Sequence, residues 1–389
     1  MEEIFFSRGV KEIISIDSLK KRLKERPLRI KYGVDPTRPD IHLGHAVGLW
    51  KLKELQDAGH TIIFLIGDYT TKIGDPSGRN VTRPILSDEE IKANAKTYFD
   101  QVGLILDVEK TEIRFNSEWF HKMSFSDLLQ LAGKFTVAQI IEREDFDKRL
   151  KAGSDIGFHE LLYPLMQAYD SIALKADVEF GGSDQKFNLL AGRDLQRKMC
   201  EQPQEIFMVE LLVGLDGKTK MSKSSDNYIS ISEDARSMYG KVMSIPDPII
   251  IDYYRLCTEI SEVEIMKKQK QLESGENPKN VKMNLAFEIA KRYHGDKEAK
   301  KAEEEFIKVF SEKELPSDIP QVSLEYGNYE LPLLLTNLQA VTSNSEARRL
   351  IEQGGIKLDG LRLTDPKQVI SIRRGSLIQV GRRKFYRIK

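Results

Sequence analysis

Between residues 28 and 68 the chain reads as strand, loop, helix, strand, and no other stretch narrows the possible folds as much. The closing strand, TIIFLI at residues 61–66, is a continuous apolar run. Such a run suits a strand covered on both faces, as in a parallel sheet. The opening strand carries Leu28, Ile30, Tyr32 and Val34 at alternate positions. Between the two, a loop at residues 35–40 holds two prolines and a threonine. His42-Leu43-Gly44-His45 then opens a helix whose apolar residues Val47, Leu49, Trp50, Leu52 and Leu55 recur every three to four positions. Gly59 marks its stop. This is a βαβ unit, the building block of a doubly wound parallel sheet of the nucleotide-binding, Rossmann-like kind. The helix N-terminus offers unsatisfied N–H groups and the positive end of a dipole, which together attract anions. Two histidines around a glycine add donors and let a ligand come close to the backbone.

Downstream segments build on this unit. A loop rich in Gly, Asp and Ser (residues 68–80) follows the TIIFLI strand, at the carboxyl end where doubly wound sheets bind ligands, and offers Asp75 as a partner for a cationic group. Residues 86–150 read as a charged helical insertion between two halves of the sheet, starting at Ser87-Asp88-Glu89-Glu90 and suited to a dimer surface. Residues 158–175 form a helix apolar on nearly every face, except that Tyr163, Gln167 and Asp170 stand at i, i+4 and i+7 on one stripe. A buried carboxylate or amide left unpaired costs about 1–3 kcal/mol, so the stripe faces either a polar ligand or an internal network. Pro164 belongs in the first turn or kinks the helix. Residues 177–188, DVEFGGSDQKFN, again give a short strand, two glycines and an acidic helix opening, with Asp184 placed to accept from ribose hydroxyls. A further strand at 205–214 leads into LDGKTKMSKSSDN (215–227). Its Lys218, Lys220 and Lys223 form a cluster suited either to solvent or to closing over phosphates.

Residues 232–310 read as a separate helical bundle and 311–330 as a polar linker with Pro316 and Pro320. In the tail, Ser343, Asn344 and Ser345 cap the helix EARRLIEQ, Gly354-Gly355 end it, and Asp359-Gly360 turn the hairpin IKLDGLRL before the short strands VISI and SLIQV. The expected organisation is a catalytic domain at 1–227 with its helical insertion near 86–150, a helical domain at 228–312, a linker at 313–330 and a small αβ module at 331–389. Acidic and basic residues balance at 60 each over the 389-residue chain, which argues against a chain-wide basic coat. The imbalance is local. Residues 331–389 hold twelve Lys/Arg against four Asp/Glu, and Arg348, Arg349, Lys357, Arg373, Arg374, Arg382 and Arg383 make the module a candidate for binding a phosphate backbone. Cys200 and Cys257 are far apart and outside metal-ligand spacing, so they read as reduced thiols, and no tightly bound protein metal is expected. The N-terminus lacks the apolar core of a signal peptide, and no apolar run approaches the roughly 18 residues of a membrane span. A soluble, cytoplasmic protein is expected.

Together these residues resemble the bacterial tyrosyl-tRNA synthetases, class I enzymes with a nucleotide-binding sheet, over essentially the whole chain. His42-Leu43-Gly44-His45 matches the family's HIGH signature save for Leu43 in place of isoleucine, and Lys220-Met221-Ser222-Lys223-Ser224 matches KMSKS in full. Residues 163–170 resemble the tyrosine-binding helix, 181–185 the adenylate loop, and the tail an RNA-binding fold of a ribosomal small-subunit protein. The resemblance implies a homodimeric tyrosine–tRNA ligase. L-tyrosine would be activated by ATP, with Mg²⁺, to tyrosyl-adenylate and pyrophosphate, then passed to the 3′-terminal ribose of tRNA(Tyr). It also implies catalysis by positioning and charge stabilisation, without a covalent enzyme intermediate. Thr37 and His42 would hold the departing phosphates, Gly44 and His45 the adenosine, and Gly182 and Asp184 the adenylate at its ribose. Lys220 and Lys223 would close onto pyrophosphate.

For the amino acid the resemblance implies Lys31, Gly33, Asp35, Asp75, Tyr163, Gln167, Asp170 and Gln185. Of these, Asp75, Tyr163 and Gln167 would bind the α-ammonium group. Asp170 would accept from the phenol, a contact that rejects phenylalanine, for which this enzyme class is the standard example. Two positions depart from the best-known branch. Lys31 stands where that branch has a tyrosine that helps hold the phenol, and Glu179 where it often has glutamine. Asp170 argues against a tryptophan-specific relative, and the lysine loop and basic tail against a small-molecule adenylyltransferase. A non-catalytic RNA-binding protein on a synthetase scaffold would have no reason to keep His42, His45, Lys220 and Lys223 together.

Overall fold

Six strands, β1 (Val10–Ile14), β2 (Arg29–Val34), β3 (Thr61–Ile66), β4 (Thr111–Phe115), β5 (Val178–Gly182) and β6 (Glu205–Val209), make one sheet in the order β1-β6-β5-β2-β3-β4. Neighbours are parallel from β6 to β4, and β1 closes the edge antiparallel to β6. The computed structural model that shows this describes residues 8–37, 40–76, 86–223, 225–310, 319–341, 343–381 and 384–389. Ile62 to Ile66 of β3 are all at most 2% exposed, as a strand covered on both faces requires. Helices α1 (Ile16–Glu25), α2 (Leu43–Asp57), α3 (Asp88–Val102), α4 (Tyr163–Leu174) and α5 (Lys186–Lys198) include the crossovers of this unit. Just past α2, Gly59 takes a φ of +92°, a left-handed value that costs glycine little. From β2 the chain winds outward to β3 and β4 on one side and to β5 and β6 on the other. The crevice at the carboxyl ends of β2 and β5 is therefore the topological switch point.

Three expectations change. The stretch 86–150 is not wholly helical, because β4 lies inside it and completes the sheet. Its five residues, TEIRF, carry Glu112 and Arg114, so the periodicity is too short and too charged to stand out between helices. Arg29 on the neighbouring part of the sheet pairs with Glu112, and Glu118 with Arg114. The strand expected at 205–214 ends at Val209. Residues 228–299 do not form a body of their own, since the chain divides into two compact units, Met1–Ala299 and Lys300–Lys389. Long-range bonds explain this: the Tyr253 hydroxyl donates to the Val213 carbonyl at 2.8 Å, and Trp50 Nε1 on α2 donates to the Tyr293 hydroxyl at 3.0 Å. Pro164 sits in the first turn of α4, after a 3₁₀ turn at Phe158–Leu162, where its missing N–H costs nothing.

In the second unit, strands Gln321–Val322, Ile356–Leu358, Leu361–Leu363, Leu377–Val380 and Lys384–Ile388 form one sheet, and Gly327–Glu330 pairs with Val369–Ile372 in another. Part of the expected linker at 313–330 thus belongs to the module. Two- and four-residue strands stabilised by distant partners leave little trace in local sequence. Ser343 caps the helix Asn344–Glu352 by accepting from the Glu346 N–H, and Asp359 and Gly360 turn the hairpin with φ of 48° and 87°.

Candidate active site

A cleft of about 940 Å³ opens over the switch point, and its wall includes residues from β2, α2, α4, β5 and the lysine loop. Every residue expected at the nucleotide or amino acid lines it: Lys31, Gly33, Asp35, Thr37, His42, Gly44, His45, Asp75, Tyr163, Gln167, Asp170, Gly182, Asp184, Gln185, Lys220 and Lys223. They come from segments up to 192 positions apart, and the fold gathers them in one place.

At the mouth of α2, His42 is the N-cap in extended conformation, and its ring stacks on His45 with centroids 3.8 Å apart. The His42 backbone N–H donates to His45 Nδ1 at 3.4 Å. Burial, with Lys223 adding, pulls His42 down to about 3, and burial with His42 beside it holds His45 well below its ordinary value. Both rings are therefore neutral near pH 7. With Nδ1 of His45 accepting, its proton sits on Nε2, so the ring presents a donor that does not repel Lys220 or Lys223. A Cβ on Gly44 would lie 3.1 Å from the His42 ring, tighter than an ordinary contact.

On the α4 side of the cleft three carboxyl groups stand out. Asp170 is 3% exposed and accepts from Trp119 Nε1 at 2.9 Å and from Asn116 Nδ2 at 3.5 Å. Burial pushes its carboxyl up to about 7, against the opposing charge of Lys31 and the two donors. Asp35 accepts from the Tyr163 hydroxyl and from Thr70, both at 2.9 Å. Asp75 accepts from Gln185 Nε2 at 2.7 Å and lies 3.3 Å from the buried Arg143 guanidinium. Lys31 lines the cleft but is bound to protein: its ammonium donates to Glu179 at 2.8 Å and to Ser171 and the Gln167 carbonyl at 2.9 Å each. With those three protons placed, it is not a spare donor for a phenol.

In the lysine loop, Lys220 Nζ lies 2.5 Å from Asp184, and Lys223 Nζ donates to the Tyr98 hydroxyl at 2.7 Å with the ammonium 4.8 Å from the ring centre. Asn227 ties the loop at its base, accepting from the Ser222 N–H and donating to Thr219, Asp216 and the Lys220 carbonyl. Sequence reasoning missed Tyr98, Asn116, Trp119 and Arg143, all within the supposed insertion. One signal was present for Trp119: a chain with two tryptophans must give each indole N–H a partner wherever it is buried.

Residues 23–311 match the family described as tRNA synthetases class I (W and Y), and residues 312–387 match the tyrosine–tRNA ligase SYY-like C-terminal domain. Curated relatives match along the full length. The tyrosine–tRNA ligase of Thermotoga maritima is 50% identical over 98% of this chain and 95% of its own, and that of Francisella tularensis 50% identical over 98% and 96%. The chain belongs to the tyrosine–tRNA ligase family. It is therefore a class I aminoacyl-tRNA synthetase, an enzyme that uses ATP. A C-terminally truncated mitochondrial tyrosyl-tRNA synthetase from Aspergillus nidulans superposes with a TM-score of 0.65 at 23% identity, over 79% of this chain and 94% of that one, which shows the shared fold. In this synthetase the second unit carries Arg348, Arg349, Arg373 and Arg374 exposed and Lys357 half-buried, while Arg382 and Arg383 lie outside the described residues.

Proposed function

We propose that the chain joins L-tyrosine to tRNA(Tyr) in two steps within the cleft described above. The observation that carries this reading is Asp170, a buried carboxylate whose oxygens are aimed by Trp119 and Asn116 into a cleft that also holds the paired histidines and loop lysines. In the first step a tyrosine carboxylate oxygen bonds to the α-phosphorus of ATP as the bond to the pyrophosphate oxygen breaks. Neutral His45 and His42, Thr37 and the two lysines act on the charge that develops on the phosphates. Lys220 leaves Asp184 to do so, which frees that carboxylate for the ribose hydroxyls. In the second step a terminal ribose hydroxyl of the tRNA attacks the tyrosyl carbonyl and AMP leaves. Asp75, Tyr163 and Gln167 hold the α-ammonium group, with Asp35 supporting Tyr163, and Gly33 and Gln185 complete the wall.

We read Mg²⁺ as part of the substrate, carried on the ATP phosphates. The basic module at 331–389 would bind the tRNA, residues 1–227 the small substrates. Exposed Phe125, Leu129, Val137 and Phe158, each between 58% and 78% exposed, support a homodimer interface on the segment between β4 and α4. Among the described residues no helix is long and apolar enough to cross a membrane.

Amino-acid-dependent exchange of labelled pyrophosphate into ATP, without tRNA, tests the first step. Exchange with tyrosine but with neither phenylalanine nor tryptophan is expected. Exchange with another amino acid would overturn the substrate, and none at all would favour a catalytically silent RNA-binding protein.

A further inference from the structure

One wall of the cleft contains a buried ion pair. Lys31 and Glu179 are register partners on adjacent strands β2 and β5, 0% and 1% exposed, with Nζ 2.8 Å from Oε1. Glu179 accepts four bonds: on Oε1 from Lys31 and from Gln167 Nε2 at 3.0 Å, on Oε2 from Ser171 Oγ at 3.1 Å and from Gln204 Nε2 at 2.5 Å. A carboxylate has about four acceptor sites, so this one is saturated. A Cβ on Gly192 of α5 would come within 2.9 Å of Glu179 and 2.6 Å of Gln204, so the helix packs directly on the cluster.

The consequence falls on Gln167. An ionised carboxylate only accepts, so the end of the Gln167 amide that faces Glu179 must be its NH₂ group. The amide carbonyl oxygen is then the end left for the cleft, and the backbone carbonyl of the same residue is pinned by Lys31 at 2.9 Å. The geometry points to Glu179, with Lys31 behind it, as a positioning residue that fixes the Gln167 amide so that its carbonyl oxygen, not its NH₂, meets the substrate's α-ammonium group. This rests on the reading of Gln167 as an ammonium ligand. Lys31 completes the device. Without its charge Glu179 would be a buried carboxylate held by neutral donors, in the wall that also holds Asp170.

The test compares three ligands on the full-length protein by calorimetry: L-tyrosine, tyramine, which keeps the ammonium, and 3-(4-hydroxyphenyl)propionate, which lacks it. Glu179→Asp keeps the counter-charge of Lys31, and with it the fold, but stops a methylene short of Gln167. Glu179→Gln removes the charge that dictates the amide's orientation. Both variants are expected to bind tyrosine and tyramine about tenfold more weakly and to leave the propionate within about twofold, the size of one misdirected charge-assisted hydrogen bond. Equal weakening of all three ligands by Glu179→Asp would mean a purely structural role and overturn the proposal, as would no change. Gln167→Ala separates the layers. If it weakens tyrosine and tyramine selectively while Glu179→Asp does not, the positioning role alone falls. If it fails to discriminate between the ligands, the ammonium reading falls and takes the proposal with it.

Discussion

At the scale of single residues, the proposed chemistry rests on neutral histidines, one poised carboxyl and two loop lysines. Burial lifts Asp170 to about 7, so the free enzyme changes state within the working range. A phenol donor favours the carboxylate, and the expected KM for tyrosine therefore falls several-fold between pH 6 and pH 8, a slope that Asp170→Asn should flatten. Stability runs the other way. A carboxyl raised above its unfolded value contributes stability at acid pH and loses it as pH rises from about 4 through 7. A steady-state pH series on both proteins checks the first point, and thermal unfolding of the ligand-free forms checks the second. Lys223 is buried against Tyr98 in this state, and its charge matters once phosphate charge develops. Lys223→Ala is expected to slow adenylate formation about a hundredfold or more while tyrosine affinity holds within about twofold. An unchanged rate in single-turnover adenylation would remove the residue from the mechanism. Side chains on motifs with their own local punctuation were legible in the sequence, among them His42, Asp184 and Lys223. Tyr98, Asn116 and Trp119 were not, because each acquires its role from a partner 51 to 125 positions away.

At the scale of elements, α2 opens on a first turn built around its two stacked histidines. Its first turn spends the His42 N–H on His45, and Gly44 leaves space for the stacked rings. Gly44→Ala should favour the helix by up to about 1 kcal/mol, yet its methyl would sit 3.1 Å from the His42 ring. Melting temperature is expected to hold or rise while the KM for ATP increases about tenfold, as displacement of one charge-assisted hydrogen bond would give. If both hold, the ring has room to yield. The βαβ unit, the α4 stripe and the hairpin at Asp359-Gly360 could be read from periodicity and turn chemistry. β4 could not, since a five-residue strand with two charged members owes its existence to β3 beside it. The short strands at 321–322 and 327–330 are the same case.

At the scale of the whole molecule, the proposed function assigns chemistry to the sheet unit and RNA capture to the basic module. Ending the chain after residue 311, where the synthetase match stops and ahead of the strands at 321–330, is expected to spare pyrophosphate exchange and abolish efficient tRNA charging. Replacing Arg348, Arg349, Arg373 and Arg374 with alanine should raise the KM for tRNA and flatten its salt dependence, by close to one unit of slope for each phosphate no longer neutralised. Exchange kinetics should not move. Equal charging by the truncated chain would contradict the assignment of the tail. The two-unit division itself was only partly legible, because the bonds that tie residues 228–299 to the sheet unit join Tyr253 and Tyr293 to distant partners.

The Lys31–Glu179 pair also bears on how such a sequence can change. Removing either partner alone strands a buried charge at a cost of about 3–5 kcal/mol, a large share of the roughly 5–15 kcal/mol that holds a domain folded. Exchanging both for neutral groups of similar volume can be nearly free. The two positions, 148 residues apart in sequence, are thus a single heritable character. Charge-removing substitutions at the two positions are therefore expected to be tolerated better together than singly, a coupling that thermal unfolding of the two single variants and the double variant would read.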